Sequence, residues 1–346
     1  VTKVLVTGGA GFIGHHVIEH FLKNTDWEIV SLDRLSHSGT YERLKDMKIW
    51  EKEKHRVKTI WHDLRSPIHE ILRKEIGEIN YIFHMAASTH VDRSIEDPMD
   101  FVMDNTVGTT NILLFAHSLT QKEGMFYKSP LLKFFYFDTD EVFGPASEGI
   151  NYKEWDRFNA SNPYAAAKAG ANQMCVAFAN TYKLPIIITH TMNIFGERQH
   201  FEKFIPSTIR KVVLGETVTI HSNKEGTKAG SRFYLHARNV GAALLFLVEK
   251  GECLDGSGTK GKYNIVGEKE VDNLELAQFI SEVVGGALHY EMVDFHSSRP
   301  GHDLRYALDG SLLKNLGFDY PKTFEDSLKK TIKWYLEKEN MNWLGL

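Results

Sequence analysis

The run Val4-Leu5-Val6-Thr7-Gly8-Gly9-Ala10-Gly11-Phe12-Ile13-Gly14 constrains the fold of this chain more than any other segment. Four strand-favouring residues come first, and Gly8, Gly11 and Gly14 then recur every third position. Glycine at the first place permits a tight turn. At the second it lets the backbone approach a pyrophosphate, and at the third it lets the next helix pack closely. The helix expected over Phe12–Lys23 points its free N–H groups at the phosphates. A strand before the glycines and a helix after them is the context such a motif requires. The next strand, Glu28–Leu32, ends in Asp33, about 20 positions beyond the glycines, the distance expected of a carboxylate that binds the adenosine ribose hydroxyls. Asp33 would repel a 2′-phosphate, which favours NAD over NADP, although Arg34 is a cation able to accommodate that phosphate. As plain structural readings, Asp33 is a strand-end turn residue and Asp63, after a third strand at Val57–Trp61, is a helix cap; Asp63 could also contact the adenine.

Tyr81–Met85 reads as a fourth strand and runs into Ala86-Ala87-Ser88, small residues against which a flat ligand can lie. Thr89–Ile95 reads as a loop, and Pro98–Leu119 as a long helix with Asn105 near its middle. Its apolar residues exceed what one face needs, which suits a second subunit or burial on two sides. Lys133–Gly144, KFFYFDTDEVFG, then places an apolar strand before Asp138-Thr139-Asp140-Glu141. Ligands of open α/β sheets bind at the carboxyl ends of strands. Adjacent carboxylates repel, so one keeps its proton longer, and an acid comes to stand beside a base. A polar strand-to-loop cap is the plain alternative. Further on, Tyr164 and Lys168 are four apart on a helix opened by Asn162-Pro163, so they share a face. A cation beside a phenol lowers its pKa toward use as a base.

The remaining chain reads as a strand at Leu184–Thr189, a helix ending at Leu214, a strand at Val218–Ile220 and a polar, mobile loop at Ser222–Gly230. Arg232 ends that loop before Phe233-Tyr234-Leu235. Helices follow at Ala237–Lys250, Asn273–Val284 and Thr323–Lys338, with a strand at Tyr263–Gly267. Arg232, Arg299 and Lys203 are loop cations able to hold a diphosphate. The pattern implies an α/β fold: a doubly wound parallel sheet with a smaller α/β substrate-binding lobe. The expected division is 1–190 plus 232–270 for the dinucleotide-binding domain and 191–231 plus 271–346 for the lobe. With 346 residues, 42% hydrophobic and 25% charged, the chain has an ordinary globular composition. A net charge of −4 gives no basic footprint for nucleic acid. No apolar run has the length of a membrane span. The 17 histidines are scattered, and no His/Cys group has metal-ligand spacing. Cys175 and Cys253 fit inert thiols in a reducing compartment, and no signal-peptide pattern precedes the first strand, so a cytoplasmic location is expected.

These pieces together resemble an extended short-chain dehydrogenase/reductase with a Rossmann fold, and are similar in particular to the nucleotide-sugar 4,6-dehydratases, of which dTDP-glucose 4,6-dehydratase is the type. The resemblance rests on TGGAGFIG (Thr7–Gly14), AASTHVDRSI (Ala86–Ile95), Thr139-Asp140-Glu141, YAAAK (Tyr164–Lys168), EKFIP (Glu202–Pro206) and RPGHDLRYALD (Arg299–Asp309). It implies catalysis by Thr139, Asp140, Glu141, Tyr164 and Lys168. It implies an NAD site of Gly8, Gly11, Phe12, Ile13, Gly14, Asp33, Asp63, Leu64, Ala86, Ala87, Ser88 and Asn105, with Tyr164 and Lys168. It implies a site for a nucleotide-diphosphate hexose at Ser88, His90, Arg93, Asn193, Glu202, Lys203, Arg232, Asn264, Arg299 and His302, with no metal, and a homodimer through the helices near 99–119 and 163–182. The implied reaction oxidises C4, eliminates water across C5 and C6 and returns the hydride to C6. Glu197-Arg198 stands where the family usually has proline, Tyr234–Asn239 departs from its usual pattern, and the base and sugar stay open. A nucleotide-sugar epimerase would need Tyr164 and Lys168 without the acidic pair. A 5,6-dehydratase would share the base, and a non-catalytic NAD-binding regulator would have lost part of the set.

Overall fold

A computed structural model of the protein describes residues 1–36, 39–120, 131–294 and 305–346. In chain order its strands are β1 (Lys3–Thr7), β2 (Glu28–Asp33), β3 (Val57–Trp61), β4 (Tyr81–His84), β5 (Lys133–Thr139), β6 (Ile186–Thr191), β7 (Asn193–Phe195), β8 (Val218–Ser222), β9 (Ser231–His236), β10 (Lys262–Ile265), β11 (Glu270–Asp272) and β12 (Tyr290–Asp294). Seven of them form one sheet in the order β10-β6-β5-β4-β1-β2-β3, and every neighbouring pair is parallel. The order reverses between β1 and β4, so successive crossovers leave the sheet on opposite faces. A crevice opens at that point beyond the strand ends.

Such a sheet is covered on both faces, which is why its strands are nearly continuous apolar runs. Alternate residues feed two cores. Leu5, Val30, Ile82, Phe134 and Ile186 face one way. Val4, Ile29, Phe83, Phe135 and Ile187 face the other. Each fully buried side chain of this size contributes about 1.5–3 kcal/mol. The Phe83 and Phe135 rings stack at 4.7 Å across adjacent strands. The doubly wound Rossmann-type fold expected of the sequence is the fold observed.

Two smaller sheets stand apart, β11-β9-β7 and the parallel pair β12-β8. The helices Phe204–Leu214, Asn273–Val284 and Phe324–Leu336 pack around Phe195, Ile209, Leu276, Ile280, Leu328 and Ile332. Three local expectations change. Thr89–Ile95 is not a loop: Val91–Glu96 is helical, and His90 before it takes a positive φ of 125°. Arg232 lies inside β9, opposite Val271, because Phe233, Tyr234 and Leu235 extend a strand that begins at Ser231. Ser222–Gly230 is a closed turn, in which Asn223 Oδ1 accepts the N–H groups of Thr227 and Lys228 at 2.8 and 2.9 Å. Arg299 and His302 lie outside the described residues.

The Pro98–Thr120 helix holds one wide π-helical turn, Val102–Val107. Its extra residue brings Asp104 and Asn105 inward together: the Asp104 side chain is 6% exposed, and Asn105 is buried. At the first crossover, Gly8 has φ +72° and donates its N–H to Leu32 O at 2.8 Å. A Cβ at Gly14 would stand 2.1 Å from Gly8 O, so the third glycine serves the turn itself. Gly14→Ala is expected to destabilise the protein by about 1–3 kcal/mol through overpacking, read as a lower denaturant midpoint with an unchanged slope.

Candidate active site

The ends of β1, β2, β4, β5 and β6 surround a cleft of about 480 Å³, within the usual range for a small-molecule site. At its glycine end, Gly8, Gly11, Phe12, Ile13 and Gly14 line one wall. Asp33 Oδ2 accepts Ala10 N–H at 3.1 Å and Oδ1 accepts Leu35 N–H at 2.8 Å. That fixes the carboxylate and leaves lone pairs for ribose hydroxyls. Asp63, Leu64, Ala86, Ala87 and Ser88 line the same end.

The Ala86–Ser88 backbone is held from behind by residues that the sequence did not single out. Thr7 Oγ1 accepts the N–H groups of Met85 and Ala86, both at 3.2 Å, and lies 2.7 Å from His84 Nδ1. His84 Nε2 lies 2.9 Å from Thr109 Oγ1, whose own proton goes to Asn105 O. Only a neutral His84 with its proton on Nε2 satisfies this chain. Burial first, and then the nearby Lys168 charge, lower its pKa to about 3, in agreement. Asn105 clamps Ser88, with Oδ1 accepting its N–H at 2.8 Å and Nδ2 donating to its carbonyl at 3.0 Å. Asn105 does not line the cleft; it acts through Ser88, which corrects the expected direct contact.

The acidic stretch forms the opposite wall. Thr139 ends β5 and caps a short 3-10 turn, Asp140–Phe143, in which its hydroxyl meets Glu141 N–H at 3.4 Å and Asp140 Oδ1 at 3.1 Å. Burial pushes Asp140 up to about 7, and the Glu141 charge adds to this; Arg232 opposes it. Asp140 Oδ2 is buried without a hydrogen-bond partner among the described residues. Asn162 Nδ2 donates to Glu141 Oε2 at 3.2 Å, while Asn162 Oδ1 caps the Pro163–Tyr182 helix through Ala165 N–H. One residue thus sets both the carboxylate and the helix that carries Tyr164 and Lys168. Asp138, one residue earlier, is fully buried on Asn172 Nδ2 at 2.6 Å and pushed up to about 6 by burial, with Lys168 opposing.

Tyr164 and Lys168 both line the cleft, but their electrostatics differ from expectation. Burial holds the Tyr164 phenol well above its ordinary value, and the Glu141, Asp138 and Asp140 charges add to that. Lys168 Nζ donates to Phe137 O at 2.7 Å and sits over the Tyr136 ring. The cation is therefore engaged with the end of β5 and does not offset the surrounding carboxylates at Tyr164.

His90, Asn193, Glu202, Lys203 and Arg232 line the cleft beyond this wall. Arg232 packs over the Tyr306 ring at 4.9 Å. Arg93 instead lines an adjoining cavity shared with Ser88, His90 and Lys203, where it meets Glu202 Oε2 at 3.3 Å. Asn264 is a clear correction. It is fully buried in β10, donates to Tyr152 O and Asp309 O, both at 3.0 Å, and accepts from His190 Nδ1 at 3.1 Å. Both amide hydrogens and the carboxamide oxygen are engaged within the core, and Asn264 does not line the cleft. Among the described residues, no group of three His, Cys, Asp or Glu side chains could hold a metal ion, and no helix is long and apolar enough to cross a membrane.

The model of the GDP-mannose 4,6 dehydratase family matches residues 5–331. The chain belongs to this family. It is 34% identical over 333 residues to the low-salt glycan biosynthesis protein Agl12 of Haloferax volcanii, covering 96% of this chain and 98% of that protein. It is 32% identical to a dTDP-glucose 4,6-dehydratase of Salmonella typhimurium, covering 99% of this chain and 94% of the other. Among solved structures, DesIV, a dTDP-glucose 4,6-dehydratase from Streptomyces venezuelae with NAD and TYD bound, superposes with a TM-score of 0.84 at 29% identity, over 98% of both chains.

Asn264→Ala is expected to destabilise the protein by about 1–3 kcal/mol by stranding buried polar partners, while KM for the sugar nucleotide stays unchanged. Thermal unfolding alongside steady-state kinetics checks both halves.

Proposed function

We propose that the protein is an NAD-dependent nucleotide-sugar 4,6-dehydratase, a hydro-lyase that converts an NDP-hexose to an NDP-4-keto-6-deoxyhexose. The observation that carries this reading is the pair Asp140–Glu141 in one cleft with Tyr164, with Asp140 holding its proton until about pH 7. An epimerase needs no such acid beside a base.

The glycine turn, Asp33 and the Ala86–Ser88 backbone fit a dinucleotide along the sheet edge: Gly8 already stands so close to Ala86 that a Cβ would meet Ala86 N at 2.8 Å. When bound, NAD supplies the hydride acceptor for C4 and later the hydride for C6. Tyr164 takes the C4 hydroxyl proton. Its phenol would become a base only when further positive charge comes alongside, which bound NAD would supply, since Lys168 is held on Phe137 O. The C4 ketone acidifies C5–H, and Glu141, oriented by Asn162, removes that proton. The C6–O bond breaks as Asp140 donates its proton to the leaving hydroxyl, and water departs; once C6 is reduced, Glu141 returns its proton to C5. Thr139 would hydrogen-bond near O4. Arg232 and Lys203 would neutralise the diphosphate.

The division into 1–190 plus 232–270 and 191–231 plus 271–346 remains our proposal for the domains, with β9 supplying the middle strand of the smaller sheet. A homodimer is supported by exposed apolar side chains on the expected helices, Met99, Val102, Leu114 and Tyr182. The composition suits the cytoplasm.

Mass spectrometry after incubation with dTDP-glucose, UDP-glucose, UDP-N-acetylglucosamine or GDP-mannose, without added reductant, tests the reaction. Loss of one water and a 4-ketone from one of them is expected; an isomer of unchanged mass would select an epimerase. Asp140 works as an acid and its pKa lies above the ordinary carboxylate value, so kcat should hold below about pH 7 and fall as pH rises through it. Asp140→Asn should lower kcat and remove that alkaline limb. Glu141→Gln should lower kcat about 100-fold or more and leave NAD on the protein.

A further inference from the structure

The adenosine end of the cleft contains an ion-pair cluster that the reaction does not use. Arg34 follows Asp33 at the end of β2, where a guanidinium can meet a ribose 2′-phosphate. Here both of its terminal nitrogens are taken by one carboxylate, Nη1 by Asp104 Oδ1 and Nη2 by Asp104 Oδ2, each at 2.6 Å. Arg65, following β3, donates Nε to Asp104 Oδ1 at 2.5 Å and Nη2 to Asp100 Oδ1 at 2.5 Å. Asp63 Oδ2 lies 3.5 Å from Arg34 Nη1. Ser88, on the wall of the cleft, donates its hydroxyl to Asp104 Oδ2. Arg34, Arg65 and Asp104 all line the cleft. Burial acts to raise the Asp104 pKa, but the hydrogen bonds from Arg65, Arg34 and Ser88 outweigh it and hold the carboxyl below its ordinary range.

We propose that Asp104 is a cofactor-specificity residue: by occupying Arg34 and Arg65 it denies both guanidiniums to a 2′-phosphate and commits the site to NAD. Asp33 alone is a weaker filter, because a doubly charged phosphate beside Arg34 would find a bidentate partner of the right shape. With Asp104 in place, that partner is already satisfied in a largely buried pair, and the phosphate would meet Asp33, Asp63 and Asp104 with neither Arg34 nor Arg65 free to compensate them. Removing one partner of a buried pair leaves the other seeking charge, so loss of the Asp104 carboxylate turns two spent cations into a phosphate site. The π-helical turn is what brings Asp104 to this position beside Asn105, which faces Ser88 from the next residue.

This inference rests on the dinucleotide reading of the cleft, and one experiment separates the two. The purified protein is equilibrated with equal concentrations of NAD⁺ and NADP⁺, freed of excess and denatured, and the released nucleotides are quantified by chromatography. The wild type is expected to release NAD. Asp104→Asn should raise the NADP-to-NAD ratio by about tenfold or more, and Arg34→Ala added to it should reverse that gain. Asp104→Ser, which removes the charge in a smaller side chain, should shift the ratio the same way and serves if the asparagine variant folds poorly. An unchanged ratio in the variants, or an equal loss of both nucleotides, would reduce Asp104 to a structural tie and overturn the proposal. A wild type that carries neither nucleotide would remove the dinucleotide reading and this inference with it.

Discussion

The rest of the site depends on the burial of carboxylates at the end of β5. Asp138 and Asp140 are 1% and 5% exposed, and taking an ionised carboxylate that far from water is strongly unfavourable unless it is paired or protonated. The protein meets the problem differently at the two positions. Asp138 takes Asn172 and its neighbour Thr139 N–H as partners and lies in the field of Lys168 and Lys262. Asp140 takes one hydroxyl and keeps an oxygen unpartnered, so its proton stays until about pH 7. The same desolvation lowers the pKa of Lys168, and Asp138 opposes that shift. Asp138, in the strand, thus supports the charge on Lys168, and Asp140, in the turn that follows, keeps a proton until about pH 7. A parallel sheet produces this arrangement because its strands must be apolar on both faces, which leaves polar groups only at the ends.

The features legible in the sequence are those whose meaning is local. The glycine spacing, the carboxylate ending β2, the Asp-Glu pair and the Tyr-Lys pair on one helix face each express a backbone need or a shared surface within a few residues. Strand and helix positions follow from the same local periodicity. Ala237–Lys250 and Asn273–Val284 begin and end as the pattern implies, since Asp272 caps the second through Leu274 N–H and Gly285 ends it. The residues that sequence reasoning misplaced or missed act across the fold. His84, Thr109 and Thr7 come from three elements to fix one loop, and nothing around any of them signals the other two. Asn105 and Asn264 are both asparagines at strategic positions. One carboxamide holds the backbone of a cleft residue and the other closes a core network, a difference that appears only once β10 lies beside β6. Arg232 reads as a loop cation because its glycine-rich approach hides the β9 pairing.

The departures from the family pattern around Glu197 have a physical account that places them behind the cleft. Glu197 Oε2 accepts from His236 Nε2 at 3.1 Å, and its carbonyl accepts from His16 Nε2 at 2.9 Å. His236 Nδ1 accepts Arg238 N–H at 3.0 Å, so this histidine is neutral, in keeping with burial lowering its pKa. Arg198 takes a left-handed φ of 64° and donates Nε to His15 Nε2 at 3.0 Å, while His15 Nδ1 donates to Gly11 O at 3.0 Å. Left-handed backbone at a non-glycine residue is unfavourable by about 1–3 kcal/mol and persists only where surrounding contacts enforce it. Here the contacts run from the smaller sheet through Glu197 and Arg198 to the helix that presents its amino end to the phosphates. Neither side chain lines the cleft. The replacement of proline therefore alters how the smaller lobe is tied to the glycine turn and leaves the acid, base and phenol where they are. Among the residues that do face the cleft beyond Arg232 are His221, Gly230, Tyr234 and Asn273. Three of those four belong to β8, β9 and the turn between them, which the closed geometry of Ser222–Gly230 holds in place.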